Sequence, residues 1–288
     1  MNERLNSPEH PNMAALALLP SVNKSGEIVG IECLARPRVN SITLDGANLE
    51  LYMNDVEKNP REATHFTTHM VKKAIRLLTQ FPDLQVSVNV PLTALHTDDV
   101  ISILNSTAEK DKRARRLTVE ITERQPLPTD DPELTSDIVE CLGQIQKIAK
   151  VEIDDFIPPS DETPNPLFPP NHSYIILEGL LSCGFRPDGV KIDASQSGYK
   201  YRNGLHTFGT ITPPCLAILH VADLHQQHFA PLPKITVEGV RESCESYGFK
   251  QLANIPNVTS LQGHGICPPV KPNELRSHSP TLFATSAS

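Results

Sequence analysis

Hydrophobic and polar positions along the chain alternate between two rhythms. Short runs of period two mark strands, and longer runs with apolar residues three and four apart mark helices. Residues 14–19 and 28–33 predict two strands around a turn at Asn23-Lys24-Ser25-Gly26. Phe66, Met70, Ala74, Leu77, Leu78 and Phe81 keep helical spacing and predict an amphipathic helix over about 62–81. A strand at 84–90, a helix at 98–113 and a strand at 116–121 follow. Ile138, Cys141, Leu142, Ile145 and Ile148 mark the next helix, and 149–156 the next strand. The pairing repeats as helix 174–182 with strand 189–193, and helix 216–228 with strand 234–240. A last helix at 241–253 and a weak strand at 259–262 end the series.

Strand and helix alternation with short connections predicts a parallel sheet, and hence an α/β fold. An open doubly wound sheet lacks support, because no glycine-rich first turn is present. A single (β/α) barrel over residues 13–271 fits better. Residues 1–12 and 272–288 read as loose polar tails. Two stretches break the rhythm: 157–170, which holds six prolines, and the irregular 194–214.

The strands carry chemistry at their ends. Five of them finish in polar groups, with Asn89, Glu120, Asp154, Asp193 and Glu238 at the tips. Alternation pairs these with Ser87, Thr118, Glu152, Lys191 and Thr236 on the same face, while Val88, Val119, Ile153, Ile192 and Val237 take the other. One acidic tip is usually a solvated end or a helix cap. Five in the same phase suggest a shared mouth at the C-terminal ends of barrel strands. Glu32 can join them, and Asp155 is expected just past its strand. Carboxylates this crowded repel one another unless a cation compensates them. An all-oxygen set suits a hard divalent ion, and the neighbours Asp154 and Asp155 could reach two ions, as in displacement at phosphorus. His264 is the one nitrogen ligand in the vicinity.

Composition narrows the field. With a net charge of -8 and no long basic run, binding of nucleic-acid polymers is excluded as the main function. The six cysteines form no CxxC pair and read as reduced, packed thiols. No apolar stretch reaches the roughly 20 residues that span a bilayer, and no signal peptide is evident, so a cytoplasmic protein without membrane contact is expected.

The ordered set Glu32-Cys33-Leu34-Ala35-Arg36, Ser87-Val88-Asn89, Glu120-Ile121-Thr122-Glu123, Asp154-Asp155-Phe156, Lys191-Ile192-Asp193, Glu238-Gly239-Val240 and Gln262-Gly263 resembles the EAL-domain family of cyclic di-GMP phosphodiesterases. The resemblance runs from about residue 14 to 271. It implies a TIM-like barrel whose first strand is antiparallel. It further implies that Glu32, Asn89, Glu120 and Asp154 hold one Mg²⁺ or Mn²⁺, with Glu238 completing the shell. Asp154 would bridge to a second ion shared with Asp155. Lys191 would orient or deprotonate the attacking water, and Gln262 would meet that water or the ligand. Arg36 would contact a phosphate, and Glu123 would support the loop after the Asp-Asp pair. The implied reaction is hydrolysis of cyclic di-GMP to linear pGpG.

Three departures stand out. Cys33 replaces the alanine of the Glu-Ala-Leu signature. Ile157-Pro158-Pro159 replaces a Gly-Thr-Gly turn, trading positive-φ freedom for fixed φ and a lost donor. The connection between Lys191 and Glu238 is long. In the family, the altered loop links homodimer contacts to the second ion. Three expectations follow: a metal-dependent phosphodiesterase, a non-catalytic module that binds cyclic di-GMP or regulates a protein partner, and an unrelated barrel acting on another phosphate ester.

Overall fold

The computed structural model describes residues 15–39, 42–96, 99–108, 112–158, 171–193, 213–241 and 247–278. The chain opens with a hairpin of β1 (Ala15–Val22) and β2 (Ile28–Arg36). Asn23 builds its turn, its side-chain oxygen accepting from the amides of Ser25 and Glu27 at 2.9 and 3.0 Å. A two-residue ribbon, β3 (Arg38–Val39) with β4 (Ile42–Thr43), leads to α1 (Gly46–Glu57) and α2 (Pro60–Gln80). Asn59 caps α2 by accepting from the Arg61 amide, and Pro60 occupies its first turn.

The series continues as β5 (Gln85–Val90), α3 (Asp99–Ala108), β6 (Leu117–Ile121) and α4 (Pro132–Gln146). Then come β7 (Lys150–Phe156), α5 (Ser173–Ser182), β8 (Gly189–Asp193) and α6 (Pro213–Gln227). The last elements are β9 (Lys234–Glu238), α7 (Tyr247–Ala253), β10 (Val258–Gln262) and α8 (Pro272–His278).

Eight strands close into a barrel in the order β1-β10-β9-β8-β7-β6-β5-β2. β1 is antiparallel to both neighbours, and every other pair is parallel. The expected barrel with an antiparallel first strand is therefore observed. The half of β1 that β10 does not reach is bridged at Leu18 by Val270. Val88, Val119, Ile153, Ile192 and Val237 are fully buried on the outward face, beneath the helices. On α2 the buried residues include Phe66, Met70, Ala74, Leu77 and Leu78, so the helical stripe read from the sequence is the packed one.

Several boundaries differ from expectation. Of the helix expected at 98–113, Asp99–Ala108 is helical, residues 98 and 109–111 lie outside the described residues, and a 3-10 turn at Lys112–Arg116 delivers the chain into β6. Arg116 holds that turn in place, its guanidinium donating to the carbonyls of Leu78, Phe81 and Leu84 at 2.6 to 3.0 Å. Pro272–His278 is helical where a loose tail was expected, because Leu275 is buried and Glu274 accepts from the Lys271 amide at 3.1 Å. α1 has no counterpart in the sequence reading. Residues 1–14, 159–170, 194–212, 242–246 and 279–288 lie outside the described residues, which takes in most of both irregular stretches, the start of the helix expected at 241–253 and most of both tails. Among the described residues, no helix is long and apolar enough to cross a membrane.

Candidate active site

Alternation and strand register decide which side chains meet. β5 and β6 align Asn89 with Glu120, and β8 and β9 align Asp193 with Glu238. Inward-facing residues of the parallel strands thus reach one level at their C-terminal ends. The ring centres on Lys191, which is 1 % exposed. Its Nζ lies 2.7 Å from Asp154 Oδ1, 3.0 Å from Glu120 Oε2, 3.2 Å from Glu238 Oε2 and 3.4 Å from Glu32 Oε2. Burial opposes the charge on this ammonium, but the four carboxylates overcome that opposition and push its pKa above the ordinary lysine range. Burial also pushes the Glu120 and Glu238 carboxyls up, with Lys191 acting in the other direction.

Amides complete the first set. Gln262 Nε2 donates to Glu32 Oε2 at 2.5 Å, and Asn89 Nδ2 donates to Glu32 Oε1 at 2.9 Å. The tip of β10 is pinned next to that of β9. Gly263, at φ 150°, lies so close to the Val240 backbone that any Cβ would collide with its carbonyl oxygen at 2.3 Å. The Val240 amide donates to the Gln262 carbonyl at 3.0 Å, which fixes where the Gln262 side chain begins.

A second set overlaps the first. One oxygen each from Glu32, Glu120 and Asp154 lie within 4.8 Å of one another, and so do oxygens of Glu123, Asp154 and Asp155. Asp154 belongs to both. Strict alternation would turn Asp155 away from Asp154. Instead Asp155 sits inside β7, at φ 46°, where the register with β8 shifts between Ile153 and Phe156. The expectation that Asp155 lies past its strand is corrected: a bulge holds it there, and aspartate tolerates the left-handed region better than most residues. Asn171 Nδ2 donates to the Asp155 carbonyl at 2.8 Å, and the Ile157 amide donates to Ser173 Oγ at 3.1 Å. These contacts anchor the strand end in the altered Ile157-Pro158 setting.

Glu123 follows β6. Burial, then the Asp154 charge, pushes its carboxyl up to about 7, and the same causes raise Asp155. The neighbouring Arg124 reaches back to α1, 3.0 Å from Glu50, 3.3 Å from Asn54 Oδ1 and 3.6 Å from Glu57. Sequence reasoning missed Arg124, Glu57, Asn171 and Ser173. Their partners lie far off in sequence, or in turns that no periodicity marks.

The remaining expectations divide. Asp193 is buried at the tip of β8. His264 is exposed and belongs to neither acid set. Arg36 stands off the ring: its Nη1 donates to the Ala35 carbonyl at 2.9 Å, and it lines a cavity reaching to α2. Under the ring, the barrel interior forms a polar cavity of about 450 Å³, lined among others by Ser87, Thr118, Glu152, Thr236 and Ser260. Glu152 leans into it across Gly189, where an added Cβ would meet the carboxyl carbon at 2.8 Å.

The donor set fits divalent cations. Every group in the two acid sets offers hard oxygen. Asn89 Oδ1 and Glu238 Oε1 are buried, and neither has a hydrogen-bond partner among the described residues. Buried acceptors in that state are costly, and an ion satisfies them.

No protein-family model matches the sequence, and a search of the curated proteins gives no match. Solved structures do match. The PaMucR phosphodiesterase, solved as a c-di-GMP complex, shares 16 % identity at a TM-score of 0.61, over 91 % of this chain and 98 % of that one. The EAL domain of Xanthomonas citri FimX, also in complex with c-di-GMP, shares 15 % at 0.59, over 88 % and 87 %. A manganese and c-di-GMP complex of Klebsiella pneumoniae BlrP1 shares 20 % at 0.59, over 92 % of this chain and 57 % of the longer one. What these likenesses share with the chain is architecture: it has the barrel fold of EAL domains.

Proposed function

We propose that the chain is an EAL-type, metal-dependent phosphodiesterase that hydrolyses cyclic di-GMP to linear pGpG in the cytoplasm. The observation that carries this reading is the sharing of Asp154 between two acid sets at one strand-tip mouth. Glu32, Asn89, Glu120, Asp154 and Glu238 would hold one Mg²⁺ or Mn²⁺, and Asp154, Asp155 and Glu123 a second. When bound, such ions supply positive charge at phosphoryl oxygens and lower the pKa of water. The named ligands of the three similar structures, c-di-GMP in each and manganese in one, support the same substrate and cofactor class.

The chain's own groups have distinct tasks. Lys191 presents N–H donors at the centre of the ring, where they can orient an incoming water and steady charge on the phosphate. Glu238, with one oxygen on Lys191 and the other without a partner among the described residues, is placed to hold a proton or a cation beside it. Gln262 fixes the Glu32 carboxylate and can meet the substrate with its remaining amide atoms. Arg36 is half-buried near the end of β2, four residues past Glu32, and its guanidinium suits a substrate phosphate at the rim. In the reaction, water oxygen bonds to phosphorus, the P–O3′ bond breaks, and the ribose oxygen takes a proton.

Incubation with cyclic di-GMP and Mn²⁺ or Mg²⁺, followed by chromatography, tests the proposal. Linear pGpG should form, and Glu32→Ala should abolish it. A second reading has support of its own. Lys191 already neutralises the ring, and Pro158 stiffens the chain just after Asp155, so a module that binds cyclic di-GMP or a protein partner without turnover could persist on this fold. Binding of cyclic di-GMP with no product in either metal would select that reading.

A further inference from the structure

Three polar residues of α1 converge on one side chain. Glu50, Asn54 and Glu57 are spaced four and three apart, so they share a face of the helix. All three reach Arg124. Its Nη1 lies 3.0 Å from Glu50 Oε2 and its Nη2 donates to Glu50 Oε1 at 3.2 Å, a two-pronged grip on one carboxylate. Nη1 also donates to Asn54 Oδ1 at 3.3 Å, and Nε lies 3.6 Å from Oε1 of the buried Glu57.

Arg124 directly follows Glu123, whose carboxylate belongs to the second acid set. The His172 amide donates to the Glu123 carbonyl at 2.9 Å and fixes the backbone there, which leaves the side chains to decide what Glu123 meets. An unheld guanidinium next in the chain would compete for that carboxylate, because its fork suits carboxylates wherever it reaches one. Among the described residues no ion pair joins Glu123 to Arg124, and the guanidinium turns to α1 instead. Burial opposes the charge on Arg124, but Glu57, then Glu50, then Glu123 push its pKa above the ordinary arginine range. The two α1 carboxylates thus act on it more strongly than its chain neighbour does.

We infer that Arg124 is a positioning residue for the second ion: α1 holds its guanidinium aside and leaves the Glu123 carboxylate free for a cation. This role rests on the reading of Glu123, Asp154 and Asp155 as that ion's ligands. A guanidinium released onto Glu123 would occupy a ligand oxygen and place positive charge beside the ion. Affinity at the second position is therefore set from α1, an element that carries none of its ligands.

Calorimetric titration of Mn²⁺ into the metal-free full chain, comparing the wild type with Arg124→Lys and Arg124→Gln, provides the test. The second ion is the one whose binding Asp155→Asn removes. Lysine keeps the charge but lacks the fork that α1 grips, so Arg124→Lys should weaken that ion by tenfold or more, about 1.4 kcal/mol, and leave the first unchanged. Arg124→Gln has no charge to bring to Glu123 and should bind the second ion at least as tightly as the wild type. A role in the fold alone would rank glutamine below lysine, or weaken both ions together, and either result overturns the inference. Circular dichroism checks folding. If Arg124→Lys does not fold, Glu50→Gln, at a half-exposed position, should still weaken the second ion several-fold. Two ions in the wild type, with affinities unaltered by the lysine change, overturn the role of Arg124 alone. A single ion in the wild type overturns it together with the two-ion reading.

Discussion

Two acid sets meet at Asp154, and they neutralise their charge in different ways. The set formed with Glu32 and Glu120 surrounds a fixed ammonium, Lys191 Nζ, at 2.7 to 3.4 Å. The set formed with Glu123 and Asp155 is held to lesser compensation. There burial and mutual repulsion push the carboxyls up, and Arg124 and Lys191 act only as smaller, opposing influences. A covalently attached cation makes the first set a permanent part of the fold. The second has no such cation at its centre and depends more on protons or on an added ion, although burial raises Glu120 in the first set as well.

The largest expected effect comes from removing the fixed cation. Lys191→Met leaves four buried carboxylates without it, and breaking a buried ionic network in this way costs about 3–5 kcal/mol. Chemical denaturation in metal-free buffer measures it. A cost under about 1 kcal/mol would mean that the first set is neutralised by protons as well, and the contrast disappears.

A smaller loss should follow from Gln262→Ala, which removes the 2.5 Å hydrogen bond to Glu32. Bonds to charged groups contribute about 1.5–3 kcal/mol, and the same denaturation experiment reads the change. No measurable change would show that Glu32 is held by Lys191 and Asn89 alone.

The smallest effect sharpens the view of the second set. Glu57 buttresses Arg124 behind Glu123, and burial pushes its carboxyl from 4.5 up to about 7, against the pull of Arg124. A raised carboxyl means that the folded state holds the proton more tightly than the unfolded one. Its contribution is therefore complete below the unfolded value and fades as pH rises through about 7. Glu57→Gln should flatten part of the decline in stability between about 4.5 and 7, seen in melting temperature against pH. An unchanged slope would assign that decline to other groups.

How much of this was legible in the sequence follows from the physics of each element. Strand alternation has period two, so Ser87 with Asn89, Thr118 with Glu120 and Lys191 with Asp193 could be assigned to one face without coordinates. The barrel followed from the strand and helix alternation, and the antiparallel first strand from the resemblance to EAL domains. Asp155 could not be placed, because its direction comes from a bulge at φ 46° that overrides the period. α1 was missed because its residues are mostly exposed or half-buried, and its contribution to the site passes through Arg124, at positions 50 to 57 against 124. α8 was missed because one buried leucine and one local hydrogen bond hold it, a signal too short for periodicity to register.

Calorimetric titration of Mn²⁺ into metal-free protein, comparing the wild type with Asp154→Asn, tests the shared carboxylate most directly. Two bound ions are expected in the wild type, with affinity at both positions lost or greatly weakened in the variant. A single ion in the wild type, or a variant that still binds two, would contradict the account.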